Sequence, residues 1–274
     1  MEVMELKKKA ACIRRDLLAM IYNAKAGHTG GALSSADILT ALYYDVMRID
    51  PANPGWEGRD FFVLSKGHSV EGLFCILADK GFYDRKELDT FCRFGSRFIG
   101  HPNNKIPGIE VNTGALGHGL PVATGMAKGL KMSSRPNRVY TLMGDGELAE
   151  GSVWEAAMAA SHYKLDNLTA IIDRNHLQIS GDTEQVMAQE PLADRWRAFG
   201  WRVVELDGND MAALTVELRR QPVQGEPRMI IAHTVKGRGV KEMENVPKWH
   251  HGVPDEELFA SAMRQFAEQE RSAR

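Results

Sequence analysis

Cysteine is scarce and unpatterned. Cys12, Cys75 and Cys92 are an odd set with no CxxC spacing, which argues against a disulfide framework and a zinc site and fits a reducing, cytoplasmic setting. Long apolar runs are missing too. No stretch approaches the roughly 18 uninterrupted apolar residues of a membrane helix. The opening MEVMELKKKAACIRRDLLAM places charges where a secretory signal needs an unbroken apolar run, so neither a span nor export is expected. Nor is one sign of charge in excess. With 34 Lys and Arg against 36 Asp and Glu mixed along 274 residues, the net charge of −2 offers no field for nucleic acid or an anionic membrane. Small ligands and protein partners remain. Internal repeats and low-complexity linkers are also absent.

What is present is the content of a globular chain, 43% hydrophobic and 26% charged, arranged with a clear rhythm. Apolar runs of strand length recur: FFVLS (61–65), RVYTLMG (138–144), LTAIIDRN (168–175), WRVVELDG (201–208) and RMIIAHTV (228–235). Near-continuous runs of this kind predict strands buried on both faces, the pattern of a parallel sheet. Segments of helical period lie between them. SSADILTALYYDVM has Ser34 or Ser35 as N-cap and apolar Ile38, Leu39, Leu42 and Val46, and SVWEAAMAASHYK and PLADRWRAFG follow the same logic, the last closed by Gly200. The expected class is α/β, a three-layer parallel sheet with helices on both faces, whose ligands bind beyond the carboxyl ends of the strands. A helical tail is expected from about residue 255. Three irregular segments stand out: a Gly-rich link between helices at 24–34, a Gly-, Pro- and Asn-rich stretch at 94–119, and the segment 235–254 after the last strand. Each carries a histidine, and long ordered loops are usually functional.

The second apolar run ends in GDG, which places Asp145 at the carboxyl end of a strand between glycines that allow tight turns and close approach of a ligand. The next run ends in DRN, so Asn175 reaches the same edge if the two strands are neighbours. A carboxylate, an amide oxygen and a following carbonyl, that of Leu177, make an oxygen-only set suited to Mg²⁺, with Ca²⁺ or Mn²⁺ as substitutes, the remaining positions going to phosphate oxygens and water. A helix starting near Ser152 is placed to turn its positive end toward the anion. Alone, GDG is a tight turn. Paired with an asparagine ending the next strand, it is the sequence form of a thiamine diphosphate motif. Four histidines sit in compact Gly-containing signatures, His28 in GHTGG, His68 in SKGHS, His101 in GHP and His250 in WHHG. For His118, His162, His176, His233 and His251 the plain surface or core reading is retained.

Together AGHTGG, LSKGHS, GHP, TGALGHG, GDGELAEG, DRN and KGRG with a later WH stand in an order that resembles the N-terminal, diphosphate-binding half of transketolases over nearly the whole chain. The resemblance implies a single diphosphate-binding domain over 1–274 and the transfer of a two-carbon ketol unit from a ketose to an aldose. Sugar phosphates are the implied substrates. It implies Asp145, Asn175 and the Leu177 carbonyl as metal ligands, and Gly146, His68 and His250 as diphosphate contacts. Gly114 and Leu116 match the loop beside the aminopyrimidine, Ile179 the apolar residue beside the thiazolium, and Lys236 the lysine near the phosphates and substrate. His28, His101 and His250 resemble the histidines that face the donor sugar.

The family's activating glutamate belongs to a downstream pyrimidine domain that has no counterpart in this sequence. Internal recruitment of Glu147 or Glu150 is one alternative. The resemblance instead assigns Glu150 and Glu155 to an acidic network at the subunit interface and leaves Glu147 without a role. A split transketolase is therefore expected, an α2β2 heterotetramer in which a second chain carries the pyrimidine domain. One departure concerns the sugar: Cys92 occupies a position that is often arginine in the family, with Arg93 beside it. The alternatives are a split enzyme for a branched or sulfonated sugar, the α subunit of a 2-oxo acid dehydrogenase, and a non-catalytic module that kept the fold.

Overall fold

All five apolar runs form strands in the computed structural model, which describes residues 1–272. They are β1 (Phe61–Leu64), β2 (Val139–Gly144), β3 (Leu168–Arg174), β4 (Arg202–Asp207) and β5 (Arg228–His233), in one parallel sheet of order β1-β2-β3-β5-β4. Alternation along the strands divides the apolar side chains between two cores. One face presents Phe62, Leu64, Tyr140, Leu142, Ile171 and Ile230 to a core shared with α1 (Val3–Ala24), α3 (Ala36–Ala41), α4 (Val70–Lys80), α9 (Met211–Arg219) and α10 (Glu256–Ser272), the short α2 (Thr29–Ser34) joining at its edge. The other presents Val63, Val139, Met143, Ala170, Ile172 and Ile231 to α5 (Gly119–Met132), α6 (Gly151–His162) and α8 (Leu192–Ala198). The one-turn helix α7 (Thr183–Val186) lies in the link between β3 and α8. Helix α10 seats Ala262 and Phe266 in the first core and stacks Phe259 on Tyr22 of α1, ring centroids 4.0 Å apart. No helix among the described residues is long and apolar enough to cross a membrane.

Two local expectations need correction. Strand β4 is not buried on both faces: it is an edge strand, and Glu205 and Asp207 are exposed. The helix expected from Ser34 starts earlier, at Thr29, and is interrupted, α2 and α3 meeting at Ser35 before a wider turn over Leu42–Val46. Ser35 stands at the N-cap position without capping, because its hydroxyl donates back to the Gly31 carbonyl at 2.8 Å. The helix expected to start near Ser152 is α6, which begins at Gly151 behind an exposed Glu150, and a short 3₁₀ turn over Gly146–Ala149 lies between it and Asp145.

The register fixes where the irregular segments meet. Gly144 pairs with Asp173 and Asp173 with Ala232, so Asp145, Asn175 and Thr234 leave the sheet at one edge. There Asp173, with no exposed surface, is an acceptor for four donors: the Lys66 ammonium, the Thr234 hydroxyl, Ser34 Oγ (2.6 Å) and Asn175 Nδ2 (3.4 Å). Lys66 Nζ also donates to Gly31 O at 3.0 Å. Removing one partner of such a pair strands the other charge in the interior. Lys66→Met is expected to cost about 3–5 kcal/mol of unfolding free energy in urea titrations, and adding Asp173→Asn is expected to recover part of that loss. A double variant no more stable than Lys66→Met would contradict this account.

Candidate active site

Beyond the carboxyl edge of the sheet lies a cleft of about 360 Å³ formed where six segments of the chain converge. The β2 end contributes Asp145, Gly146 and Glu147; the β3 end contributes Asn175, Leu177, Gln178 and Ile179. The loop before α5 adds Gly114 and Leu116. His28, Lys66, His68, Lys236 and His250 complete the wall.

Asp145 is 2% exposed. One carboxylate oxygen accepts the Gly146 N–H at 2.8 Å and the other the His176 N–H at 2.6 Å, with Arg174 Nη1 at 3.5 Å. Burial, with Asp173 nearby, raises its pKa to about 6. Asn175 Oδ1 accepts the Leu177 N–H at 3.2 Å, and the Leu177 carbonyl accepts Lys236 Nζ at 3.0 Å. Lys236 Nζ stands 3.2 Å from His250 Nδ1, and burial beside Lys66 lowers its pKa to about 8. Gly146 is glycine for a steric reason, since a Cβ there would lie 2.8 Å from the Gln178 side chain.

The histidines gather around His28, whose ring centroid lies 5.1 Å from His68, 5.7 Å from His250, 6.3 Å from His101 and 4.7 Å from His251. A short backbone bridge to Gly252 and the Thr29 Oγ1 bond to Gly252 O (2.6 Å) bring the two sequence ends of the cluster together. From below, Glu71 Oε1 accepts the His28 N–H at 2.7 Å, and burial raises this carboxyl to about 7. His101 packs its ring against Gly114 of the loop before α5, 6.3 Å from His28. Gly114, at φ +141°, makes room for it, because a Cβ at that position would lie 2.6 Å from the His101 ring. Burial lowers the pKa of His28 to about 4, aided by His251 and His101, that of His250 to about 4, aided by Lys236, and that of His68 to about 2, aided by Lys66; it also lowers His101. The three with values are therefore neutral at pH 7, each ring able to donate at one nitrogen and accept at the other.

The residue set fits an anionic diphosphate carried with a divalent cation. Lys66, Lys236 and neutral imidazoles supply donors. Gln178 Nε2 is a buried donor with no protein partner in the cleft wall. Asp145, Asn175 and the Leu177 carbonyl supply hard oxygens on adjoining strand ends. No group of three or more His, Cys, Asp or Glu poised for a metal occurs among the described residues, in keeping with a set that holds one carboxylate. Glu150 and Glu155 lie outside the cleft and are exposed on the α6 side. Cys92 is exposed at φ +56° and bonds through its N–H to Phe98 O at 2.8 Å.

A family model described as the thiamine diphosphate binding domain of transketolase matches residues 6–269. The chain belongs to the transketolase family. It is 52% identical to an apulose-4-phosphate transketolase subunit from Phocaeicola vulgatus over 98% of this chain and 96% of that one. It is 42% identical to the 6-deoxy-6-sulfo-D-fructose transketolase subunit of a Clostridium species over 96% of each. Human transketolase is 39% identical over 89% of this chain but only 39% of its own length. The Campylobacter jejuni transketolase structure superposes with a TM-score of 0.90 at 32% identity, covering 97% of this chain and 43% of that one. The chain thus matches separate transketolase subunits over nearly their whole length, but less than half of a single-chain transketolase. Fold class and family stand as the sequence motifs implied.

Several residues of this site carry no sequence signal. Lys66 is hidden inside SKGHS, Glu71 looks like an ordinary helix charge, and His251 reads as a plain surface or core histidine although it lies beside His28. Arg174, 1% exposed, reaches Thr183 Oγ1 (2.7 Å), Glu184 (3.0 Å) and Glu190 (2.9 Å), so it holds the segment that carries Gln178 and Ile179. A charged residue embedded in an apolar strand is the available clue.

A histidine whose protonation is suppressed by folding binds its proton more readily in the unfolded chain. Its contribution to stability is present above the unfolded pKa near 6.5 and is lost as pH falls toward about 4. The thermal midpoint should fall between pH 7 and pH 4.5, and His28→Asn should flatten that dependence. An identical slope in the variant would remove His28 from the account.

Proposed function

We propose that this chain is the diphosphate-binding subunit of a split transketolase that moves a two-carbon ketol unit from a ketose donor to an aldose acceptor. The observation that carries this reading is the convergence of Asp145, Asn175, the Leu177 carbonyl, Lys236 and neutral histidines in one cleft. It occurs in a chain coextensive with separate transketolase subunits. In this reading 1–274 is one diphosphate-binding domain ending in the helical tail, acting in the cytoplasm. A second chain supplies the pyrimidine domain and its activating glutamate in an α2β2 assembly. The exposed Glu150 and Glu155 join the acidic network at the subunit interface.

Thiamine diphosphate supplies the electron sink for breaking the bond between the ketose's second and third carbons. The chain's own residues bind, orient and handle protons. Asp145, Asn175 and the Leu177 carbonyl would hold Mg²⁺; Gly146, His68, His250 and Lys236 would hold the diphosphate end. Gly114 and Leu116 would meet the aminopyrimidine, and Ile179, exposed at the cleft wall, would flank the thiazolium. His28 and His250, neutral at pH 7, take and return the proton of the donor's third hydroxyl, and His101 holds the hydroxyls of the two-carbon unit. The relatives favour a modified sugar over a common pentose phosphate, because two apulose-4-phosphate transketolase subunits are 52% and 44% identical against 39% for human transketolase. Apulose 4-phosphate is the first substrate to assay.

The chain should be assayed alone and with the product of the adjacent gene for thiamine diphosphate- and Mg²⁺-dependent ketol transfer over a panel of ketoses. Activity is expected only in the pair; full activity of the isolated chain would sink the split-subunit reading. Asp145→Ala should weaken Mg²⁺-dependent cofactor retention by more than about 100-fold, and unchanged retention would mean that the metal set is misassigned. For His101→Ala the expected loss is about 10²- to 10⁴-fold in turnover with little change in cofactor affinity. The opposite split would move this residue to the cofactor.

A further inference from the structure

Glu147 follows Asp145 and Gly146 directly, is 2% exposed, and lines the floor of the cleft. Its side chain is fully engaged. Oε1 accepts the Ser65 hydroxyl and the Gly117 N–H (2.8 Å), and Oε2 accepts the Gly144 N–H (3.1 Å). Ser65 Oγ in turn accepts the Gly119 N–H at 3.1 Å. The carboxylate therefore binds three segments at once: the end of β2 on which it sits, the residue after β1, and the loop that leads into α5. The near end of that loop is tied separately, Thr113 Oγ1 donating to Leu64 O at 2.7 Å. Between the two ties lie Gly114 and Leu116, the loop residues of the cleft wall. With three donors on its two oxygens, Glu147 is poorly placed to exchange a proton with a ligand and well placed to hold backbone. Bonds to a buried carboxylate are among the stronger hydrogen bonds, and a side chain that cannot accept all three leaves backbone N–H groups unpaired in the interior.

We infer that Glu147 is a positioning residue that sets the distance between the 113–119 loop and the Asp145–Gly146 turn, and hence between the two walls that grip opposite ends of one extended ligand. This rests on the reading of the cleft as a thiamine diphosphate site. It makes a specific demand: losing the brace should impair a ligand that spans both walls more than one that touches the turn alone.

The test uses Glu147→Gln, which keeps one acceptor, and Glu147→Ala, with Leu218→Ala in the remote α9 as a control for general destabilisation. Hydrogen exchange on the cofactor-free chain reads the brace directly. Amides of 113–119 are expected to exchange about tenfold faster or more in Glu147→Ala, less so in Glu147→Gln, and to be unaffected selectively in Leu218→Ala. Calorimetry in Mg²⁺, with the partner chain present, reads the ligand: thiamine diphosphate affinity should fall about tenfold or more while that of inorganic diphosphate changes by a much smaller factor. Equal losses for the two ligands, or loop exchange no faster than in the control, would overturn the inference while leaving the cofactor reading intact. If the unaltered protein binds inorganic diphosphate but not thiamine diphosphate, the cofactor reading fails and the inference with it. Should Glu147→Ala not fold, Glu147→Gln carries both measurements.

Discussion

The buried pair of Lys66 and Asp173 is the constraint around which the carboxyl edge of the sheet is organised. An ion pair with no solvent is a weak source of net stability, because desolvation of both charges offsets most of their attraction. Its value is geometric. Asp173 needs its donors in place to be satisfied in the interior, and those donors come from the segment after β1, from α2, from Thr234 after β5 and from Asn175 at the end of its own strand. Satisfying one carboxylate thus draws three remote segments to the end of β3. The cleft is the space left above it.

A second layer of buried carboxylates works in the same way on the loops. Glu71 holds the backbone of His28, Glu147 holds that of Gly117 and Gly144, and Asp145 holds that of Gly146 and His176. Backbone N–H groups buried without partners would be costly, so each acid both needs and enforces a particular loop path. Asp145 lies at the cleft beside Asn175, with the Lys236 ammonium bound to the neighbouring Leu177 carbonyl. The acids that follow β2 therefore differ in what they hold: Asp145 accepts from Gly146 and His176, Glu147 accepts from Gly117 and Gly144, and Glu150 is exposed at the start of α6.

Packing around the histidines completes the electrostatics. Burial and the neighbouring ammonium groups of Lys66 and Lys236 keep His28, His68 and His250 neutral, so the cleft carries its positive charge on the lysines and its proton-exchanging capacity on the imidazoles. That division suits a polyanionic cofactor bound next to a neutral sugar hydroxyl.

The set of elements and their chemistry follow from the order of residues alone. Five apolar runs became five parallel strands because a strand covered by helices on both faces must be apolar along its length, and β4 departs from that pattern because an edge needs less cover. Asp145, Asn175, His28, His68 and His250 were legible because glycines flank them or because they end strands, where ligands of α/β folds bind. Tertiary structure decided the rest. That Lys66 pairs with Asp173, that Glu147 bonds Gly117, that His251 joins His28 and that His101 packs against Gly114 depend on sheet order and on the paths of loops far apart in sequence. No local period or propensity encodes such contacts. They follow from the need of each buried polar group for a partner, and only the folded chain shows which partner is within reach.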